Sequence, residues 1–161
     1  MTSGKRQVLV IDDEIQIRRF LKTALEPHGF GVMEAESGSA GLVAVTSNRP
    51  DLVILDLGLP DISGLEVLRR LREWYESPII ILSVRDDENT IISALDSGAD
   101  DYITKPFGIG ELLARMRVAQ RKKLSSSDPV IVVGPLSIDL SSHLVTLSGK
   151  EIKLTATEFS L

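Results

Sequence analysis

A doubly wound, flavodoxin-like α/β fold, with a five-stranded parallel sheet in (βα)5 order, is predicted by three features of residues 1–123. Short unbroken apolar runs recur, in "QVLVID", "LVILDL" and "SPIIILS". Such runs mark strands buried on both faces, as in parallel sheets covered by helices. Segments with helical periodicity lie between them. Polar residues close several of the runs at their carboxyl ends, where open α/β sheets gather functional groups.

The elements follow in order. "QVLVID" is the first strand, ending at Asp12-Asp13. Ile17, Phe20, Leu21, Ala24 and Leu25 then share one helical face, and Gly29 is a stop signal. "GVMEA" is the second strand, and Ser37 is the N-cap candidate of the helix after it. "LVILDL" is the third strand, with a loop through Pro60. Ser63 and Glu66 have capping-box spacing, and the third helix runs to about Trp74. "SPIIILS" is the fourth strand. Asp86 to Asp96 reads as the fourth helix, with its isoleucines mostly in the core and Gly98 as its stop. "DDYITKP" gives the fifth strand and "GELLARMRVAQRKK" the fifth helix.

The first domain is therefore expected over 1–123, followed by a polar linker, "LSSSDP", at 124–129. From 130 to 161 the pattern changes to short strands, "VIVV", "LSID", "HLVTL" and "EIKL", separated by turn residues, a small antiparallel meander. Thr155 to Glu158 has a second capping-box spacing, and Phe159 should open a helix. The chain ends at Leu161, so this piece is expected to be truncated.

Composition narrows the function. A 43% hydrophobic, 25% charged chain has the balance of a globular protein rather than a disordered one. No apolar run reaches membrane-spanning length, and "MTSGKRQ" lacks a signal-peptide core, so no membrane role is expected. The absence of cysteine excludes disulfides and thiolate metal sites, and fits a cytoplasmic protein. A net charge of -5 argues against broad nucleic-acid binding by this chain.

The polar strand ends carry the chemistry. Asp12 and Asp13 close the first strand, Asp56 the third, Ser83 the fourth, and Lys105-Pro106 the fifth. Carboxylates packed this closely repel by roughly 4 kcal/mol per pair at an effective dielectric near 20. A hard cation removes that cost, and an all-oxygen set suits Mg²⁺. Carboxylates, Mg²⁺ and a lysine together make a site for a phosphoryl group.

"IDDE", "LDLGLPDISG", "ILS" and "GADDYITKPF" resemble the receiver domain of bacterial two-component response regulators, from Gln7 to about Lys122. The meander resembles the first sheet of the winged-helix effector of the OmpR/PhoB subfamily. "LDLGLPD", "REW" and "KPFGIGELLARMRVAQR" are similar to the Kdp group of potassium-transport regulators. The resemblance implies that Asp56 is the phosphoacceptor, supplied by a sensor histidine kinase. It implies Mg²⁺ held by Asp12, Asp13, Asp56 and the Gly58 backbone carbonyl. Ser83 and Lys105 would bind the phosphoryl oxygens, Pro106 would follow a cis peptide, and Tyr102 would be the aromatic switch. The output implied is homodimerisation through the fourth helix, fifth strand and fifth helix, with Asp100, Asp101, Glu111, Arg115 and Arg117 in charged pairs. The protein would be a regulatory phosphoacceptor rather than an enzyme, and DNA would be bound only by an intact effector.

One departure stands out. The fourth helix reads Thr90-Ile91-Ile92-Ser93 where the family carries a basic residue, so at least one intersubunit salt bridge should be missing.

Singly, each residue has a plainer explanation. Asp12-Asp13 could cap a helix, Lys105 could be a solvated lysine, Ser83 a turn residue and Tyr102 a packing residue. Their joint register on one sheet edge is what these explanations miss. His28 and His143 have no carboxylate or nucleophile nearby in sequence, and "RKK" at 121–123 reads as a solvated helix end. Three other functions fit the residues less well. A Mg²⁺-dependent phosphohydrolase would want a second carboxylate close to Asp56, and the next is Asp61, beyond the loop. A phosphorylation-independent scaffold would not need the intact polar set. A dinucleotide-binding oxidoreductase is excluded because no G-x-G-x-x-G follows the first strand.

Overall fold

The computed structural model describes residues 5–127, 131–133, 136–139, 144–147 and 150–153, with side chains through residue 121. Two compact units divide the chain, residues 1–119 and 120–161.

In the first unit, five strands alternate with five helices, the last of which runs on past residue 119. They are β1 (Arg6–Ile11), α1 (Ile15–Leu25), β2 (Phe30–Ala35), α2 (Gly38–Asn48), β3 (Leu52–Leu55), α3 (Gly64–Arg72), β4 (Ile79–Ser83), α4 (Glu88–Asp96), β5 (Asp101–Thr104) and α5 (Ile109–Ser127). All strand pairs are parallel, in the order β2-β1-β3-β4-β5. This order places a topological switch point between β1 and β3, where ligands of open α/β sheets bind.

The period-two geometry of each strand sorts the core into two layers. Leu9, Ile11, Val53, Leu55, Ile79 and Ile81 face Val45 of α2 and Val67, Leu68 and Leu71 of α3. Val8, Val10, Leu52, Ile54, Ile80 and Leu82 face Leu21 and Leu25 of α1 and Leu112 and Met116 of α5. Strands sandwiched this way need apolar side chains on both faces, hence the unbroken runs.

The helix ends are set by local chemistry. Ser37, Ser63 and Asp87 accept hydrogen bonds from the N–H groups of Ala40, Glu66 and Thr90, respectively. The Glu66 carboxylate turns away to Arg69 and Arg70, so only half of the expected capping box forms. Helix α1 ends at Leu25 and passes into a 3₁₀ turn, Glu26–His28, that Gly29 closes; Gly29 and Gly98, the latter just past α4, take left-handed conformations at φ +90° and +114°.

Several boundaries differ from the sequence reading. Helix α4 begins at Glu88, two residues late, because Asp87 spends its side chain as the cap. Only Ala94 of α4 is buried, while Ile92 stands exposed, since the short helix covers the sheet margin. Phe20 is 48% exposed rather than in the core. It lies roughly 100° from Leu21 around the helix, at the margin of the apolar arc, and packs edge-on against Phe107 at 6.0 Å. Helix α5 continues through Ser127, into the segment read as linker, because each added residue of a formed helix gains a hydrogen bond.

In the second unit, β6 (Ile131–Val133), β7 (Leu136–Asp139), β8 (Leu144–Leu147) and β9 (Lys150–Lys153) form a sequential antiparallel sheet. The helix expected from Phe159 lies outside the described residues.

Candidate functional site

Backbone bonds bring the carboxyl ends of the strands level. The Asp56 N–H donates to the Ile11 carbonyl at 2.9 Å, the Lys105 N–H to the Ser83 carbonyl at 2.8 Å, and the Asp12 N–H to the Ala35 carbonyl at 3.0 Å. Residues just beyond β1, β3, β4 and β5 therefore share one rim. Asp13, Glu14, Asp56, Leu57, Gly58, Ser83, Val84, Arg85 and Lys105 line an open pocket of about 440 Å³ there.

Asp12, Asp56 and Ser83 are buried, and Asp13 is exposed. One oxygen from each of the three aspartates lies within 4.8 Å of the others. Three carboxylates gathered this closely offer the all-oxygen donor set that a hard divalent cation takes. Lys105 Nζ stands 2.9 Å from Asp12 Oδ2, 3.4 Å from Glu14 Oε1 and 3.6 Å from Asp56 Oδ1.

This environment pulls on the ionisations in opposite directions. Burial is the largest influence on Asp56 and raises its pKa; Asp12 and Asp13 add to the rise, while Lys105 and the Gly58 N–H oppose it. The net shift is upward, so the carboxylate is held at a cost. Burial works against the charged form of Lys105, but the hydrogen bond to Asp12 and the charges of Asp56, Asp12 and Glu14 outweigh it, and its pKa rises.

The loop after β4 carries a second set of contacts. Ser83 Oγ accepts from the Arg85 N–H at 3.1 Å, and the Tyr102 hydroxyl donates to the Arg85 carbonyl at 2.6 Å. The Arg85 guanidinium reaches Asp87 at 3.1 Å and Thr90 at 2.9 Å, anchoring the loop to the first turn of α4. The Lys105–Pro106 peptide is cis.

The residues expected on the α4, β5 and α5 face divide into two groups. Asp101 pairs with Arg115 at 3.0 Å, and Arg115 also contacts Glu111 at 3.3 Å, all within one chain. Arg117 is exposed. Asp100 is engaged elsewhere: its Oδ2 accepts from Arg72 at 2.7 Å and from the Ile79 N–H at 2.8 Å. The same guanidinium holds the carbonyls of Gly98, Tyr75 and Ser77, so Asp100 belongs to an internal tie between α3 and the start of β5.

Sequence reasoning missed four contributors. Glu14 lines the pocket. Arg18 reaches back to the Asp12 carbonyl at 2.8 Å. Asp61 accepts from the N–H groups of Gly38 and Ser39 at 2.8 and 2.9 Å, fastening α2 to the loop after β3. Arg72 is the fourth. Only Arg18 left a readable signal: it falls roughly 60° from Leu21, inside the apolar arc of α1, where an arginine needs partners.

Residues 8–117 match the response regulator receiver domain family. The KDP operon transcriptional regulatory protein KdpE of Escherichia coli is 49% identical over 156 residues, spanning 96% of this chain and 69% of that protein. The response regulator DrrB of Thermotoga maritima, described as an OmpR/PhoB homolog, is 32% identical with a TM-score of 0.66, covering 97% of this chain and 70% of its own. The BeF3-activated receiver domain of Klebsiella pneumoniae RstA is 30% identical with a TM-score of 0.70, covering 72% and 99%.

Proposed function

Because this chain belongs to the response regulator receiver domain family, in its OmpR/PhoB branch, and is a two-component response regulator, we propose that Asp56 is its phosphoacceptor. The observation that carries this reading is the position of Asp56, a buried carboxylate 3.6 Å from Lys105 and grouped with Asp12 and Asp13.

Asp12, Asp13, Asp56 and the Gly58 carbonyl would hold Mg²⁺, which supplies neutralisation of charge on the phosphoryl oxygens. An Asp56 oxygen attacks the phosphorus of a phosphohistidine on the sensor kinase. The new O–P bond forms as the P–N bond breaks, and the histidine nitrogen leaves with the electron pair. Lys105 turns from Asp12 to the phosphoryl oxygens, and Ser83 donates its hydroxyl to them. The BeF3-activated state of the RstA receiver supports a site of this kind, since BeF3 also presents three electronegative atoms.

A phosphohydrolase is disfavoured by the placement of Asp61. Both of its oxygens are taken by the start of α2, so Asp61 is not free to act beside Asp56 as acid or base. The chain is read as a regulatory phosphoacceptor acting in the cytoplasm.

The output follows from the loop after β4. A phosphoryl group that draws Ser83 toward it disturbs the Ser83–Arg85–Tyr102 contacts and so biases α4. Dimerisation would use α4, β5 and α5, where Ile92, Leu95 and Val118 are exposed beside Asp101, Glu111, Arg115 and Arg117. Residues 130–161 would be the first sheet of a winged-helix effector. By likeness to the KDP operon regulator, the genes controlled would serve potassium transport.

The test is intact mass after incubation with acetyl phosphate, with and without Mg²⁺, for wild type and Asp56→Asn. One phosphoryl adduct that needs Mg²⁺ and is lost in the variant is expected. An adduct that survives in Asp56→Asn would sink the assignment.

A further inference from the structure

We propose that Arg18 is a positioning residue for the cation site, holding the peptide that joins Asp12 to Asp13. The inference rests on the reading of Asp12 and Asp13 as Mg²⁺ ligands. Arg18 is only 9% exposed, on a helix whose other buried residues are Leu21 and Leu25. A guanidinium is seldom buried without compensation. Its Nη1 donates to the Asp12 carbonyl at 2.8 Å, and its Nε donates to Glu34 Oε1 at 3.0 Å.

The carbonyl of Asp12 belongs to the same planar unit as the nitrogen of Asp13. Fixing that carbonyl fixes the plane, and with it the directions in which the two carboxylates leave the backbone. Asp12 is held on its other sides too. Its N–H meets the Ala35 carbonyl at 3.0 Å, its Oδ1 accepts from the Glu14 N–H at 2.9 Å, and its Oδ2 faces Lys105 at 2.9 Å. Arg18 closes the one remaining side. Glu34, from edge strand β2, holds the guanidinium in the orientation that reaches the carbonyl. A cation site needs its ligands within a few tenths of an ångström, so freedom of this peptide should appear as weakened metal affinity.

The experiment is titration of MgCl2 followed by amide NMR shifts in wild type, Arg18→Met, Arg18→Lys and Glu34→Gln. Thermal midpoints in EDTA and adduct formation with acetyl phosphate at saturating Mg²⁺ accompany it. Arg18→Met should weaken Mg²⁺ binding about tenfold or more, the usual scale for losing a group that supports a ligand. Arg18→Lys should recover part of that loss, because an ammonium can also donate to the carbonyl. Glu34→Gln should show a smaller loss in the same direction. The adduct should still form on Asp56 in every variant once Mg²⁺ is saturating.

Wild-type Mg²⁺ affinity in folded Arg18→Met overturns the proposal, whatever its thermal midpoint, because that result marks Arg18 as structural only. Should Arg18→Met not fold, wild-type affinity in both Arg18→Lys and Glu34→Gln overturns it equally. A wild-type protein that binds no Mg²⁺ and takes no adduct defeats the phosphoacceptor reading itself and this inference with it. The behaviour of the wild type thus separates the two failures.

Discussion

Lys105 Nζ lies 2.9 Å from Asp12 Oδ2 and points into a ring of acids that also contains Asp56 and Glu14. The ammonium is a tethered counter-ion: it offsets part of the negative charge of the carboxylate edge and stands within reach of any group that Asp56 acquires.

Replacing Lys105 should therefore slow phosphorylation without abolishing the acceptor. Removal of one preorganised charge at a reacting centre costs about 10²–10³-fold in rate. Lys105→Met is expected to form the acetyl-phosphate adduct slower by about that factor, followed by intact mass over time. Lys105→Arg should also be slow, since a planar fork does not replace a compact ammonium. Wild-type rates in either variant would remove Lys105 from the reaction.

Asp56→Asn should be more stable than wild type near neutral pH in EDTA, because it deletes a buried carboxylate lying close to two others. The sign follows from the upward shift. A group whose pKa is raised by folding contributes stability below its unfolded value of 3.8, and that contribution is lost as pH rises through the folded value. Wild type should thus carry a penalty at pH 7 that the variant lacks, and Mg²⁺ should narrow the gap. Thermal unfolding with EDTA and then with Mg²⁺ checks both halves.

Gly64 should tolerate no side chain. A Cβ there would stand 2.5 Å from the Leu57 Cα and also crowd the Asp56 carbonyl, and these are backbone atoms that cannot turn aside. Gly64→Ala is expected to cost about 2 kcal/mol or more in urea unfolding, at the upper end of ordinary overpacking. A loss below about 0.5 kcal/mol would show that the loop after Asp56 can move.

Tyr75 predicts an alkaline limit. Burial pushes its phenol well above the ordinary value of 10.0, and the hydroxyl donates to the Pro50 carbonyl at 2.6 Å. The folded state keeps this proton while the unfolded chain gives it up, so stability falls as pH rises above about 10. Tyr75→Phe should cost about 1 kcal/mol at pH 8, the usual worth of one hydrogen bond, and less at pH 11. Urea unfolding at both pH values measures the difference; a constant gap would contradict it.

The fold was legible because strands buried on both faces must be apolar throughout. Leu52–Leu55 and Ile79–Leu82 could be nothing else in a chain whose intervening segments have helical period. Asp12, Asp13, Asp56, Ser83 and Lys105 were legible for a related reason. A parallel sheet aligns its strand ends, so a polar residue ending an apolar run has a known address. Phe20 shows where pattern alone fails, because apolar spacing does not say how wide an arc the sheet covers.

By itself, then, the chain's order of residues determined the alternating fold, the sheet edge on which five polar groups meet, and the carboxylate expected to react. Only tertiary structure decided which charges are already spent. Asp100 is held by Arg72, twenty-eight residues away, Asp61 by the start of α2, and the Asp12 carbonyl by Arg18. Periodicity records which side of an element a residue occupies, because burial favours apolar groups over a whole face. A hydrogen bond between distant side chains depends on where two separate elements come to rest, and that is settled when the layers pack.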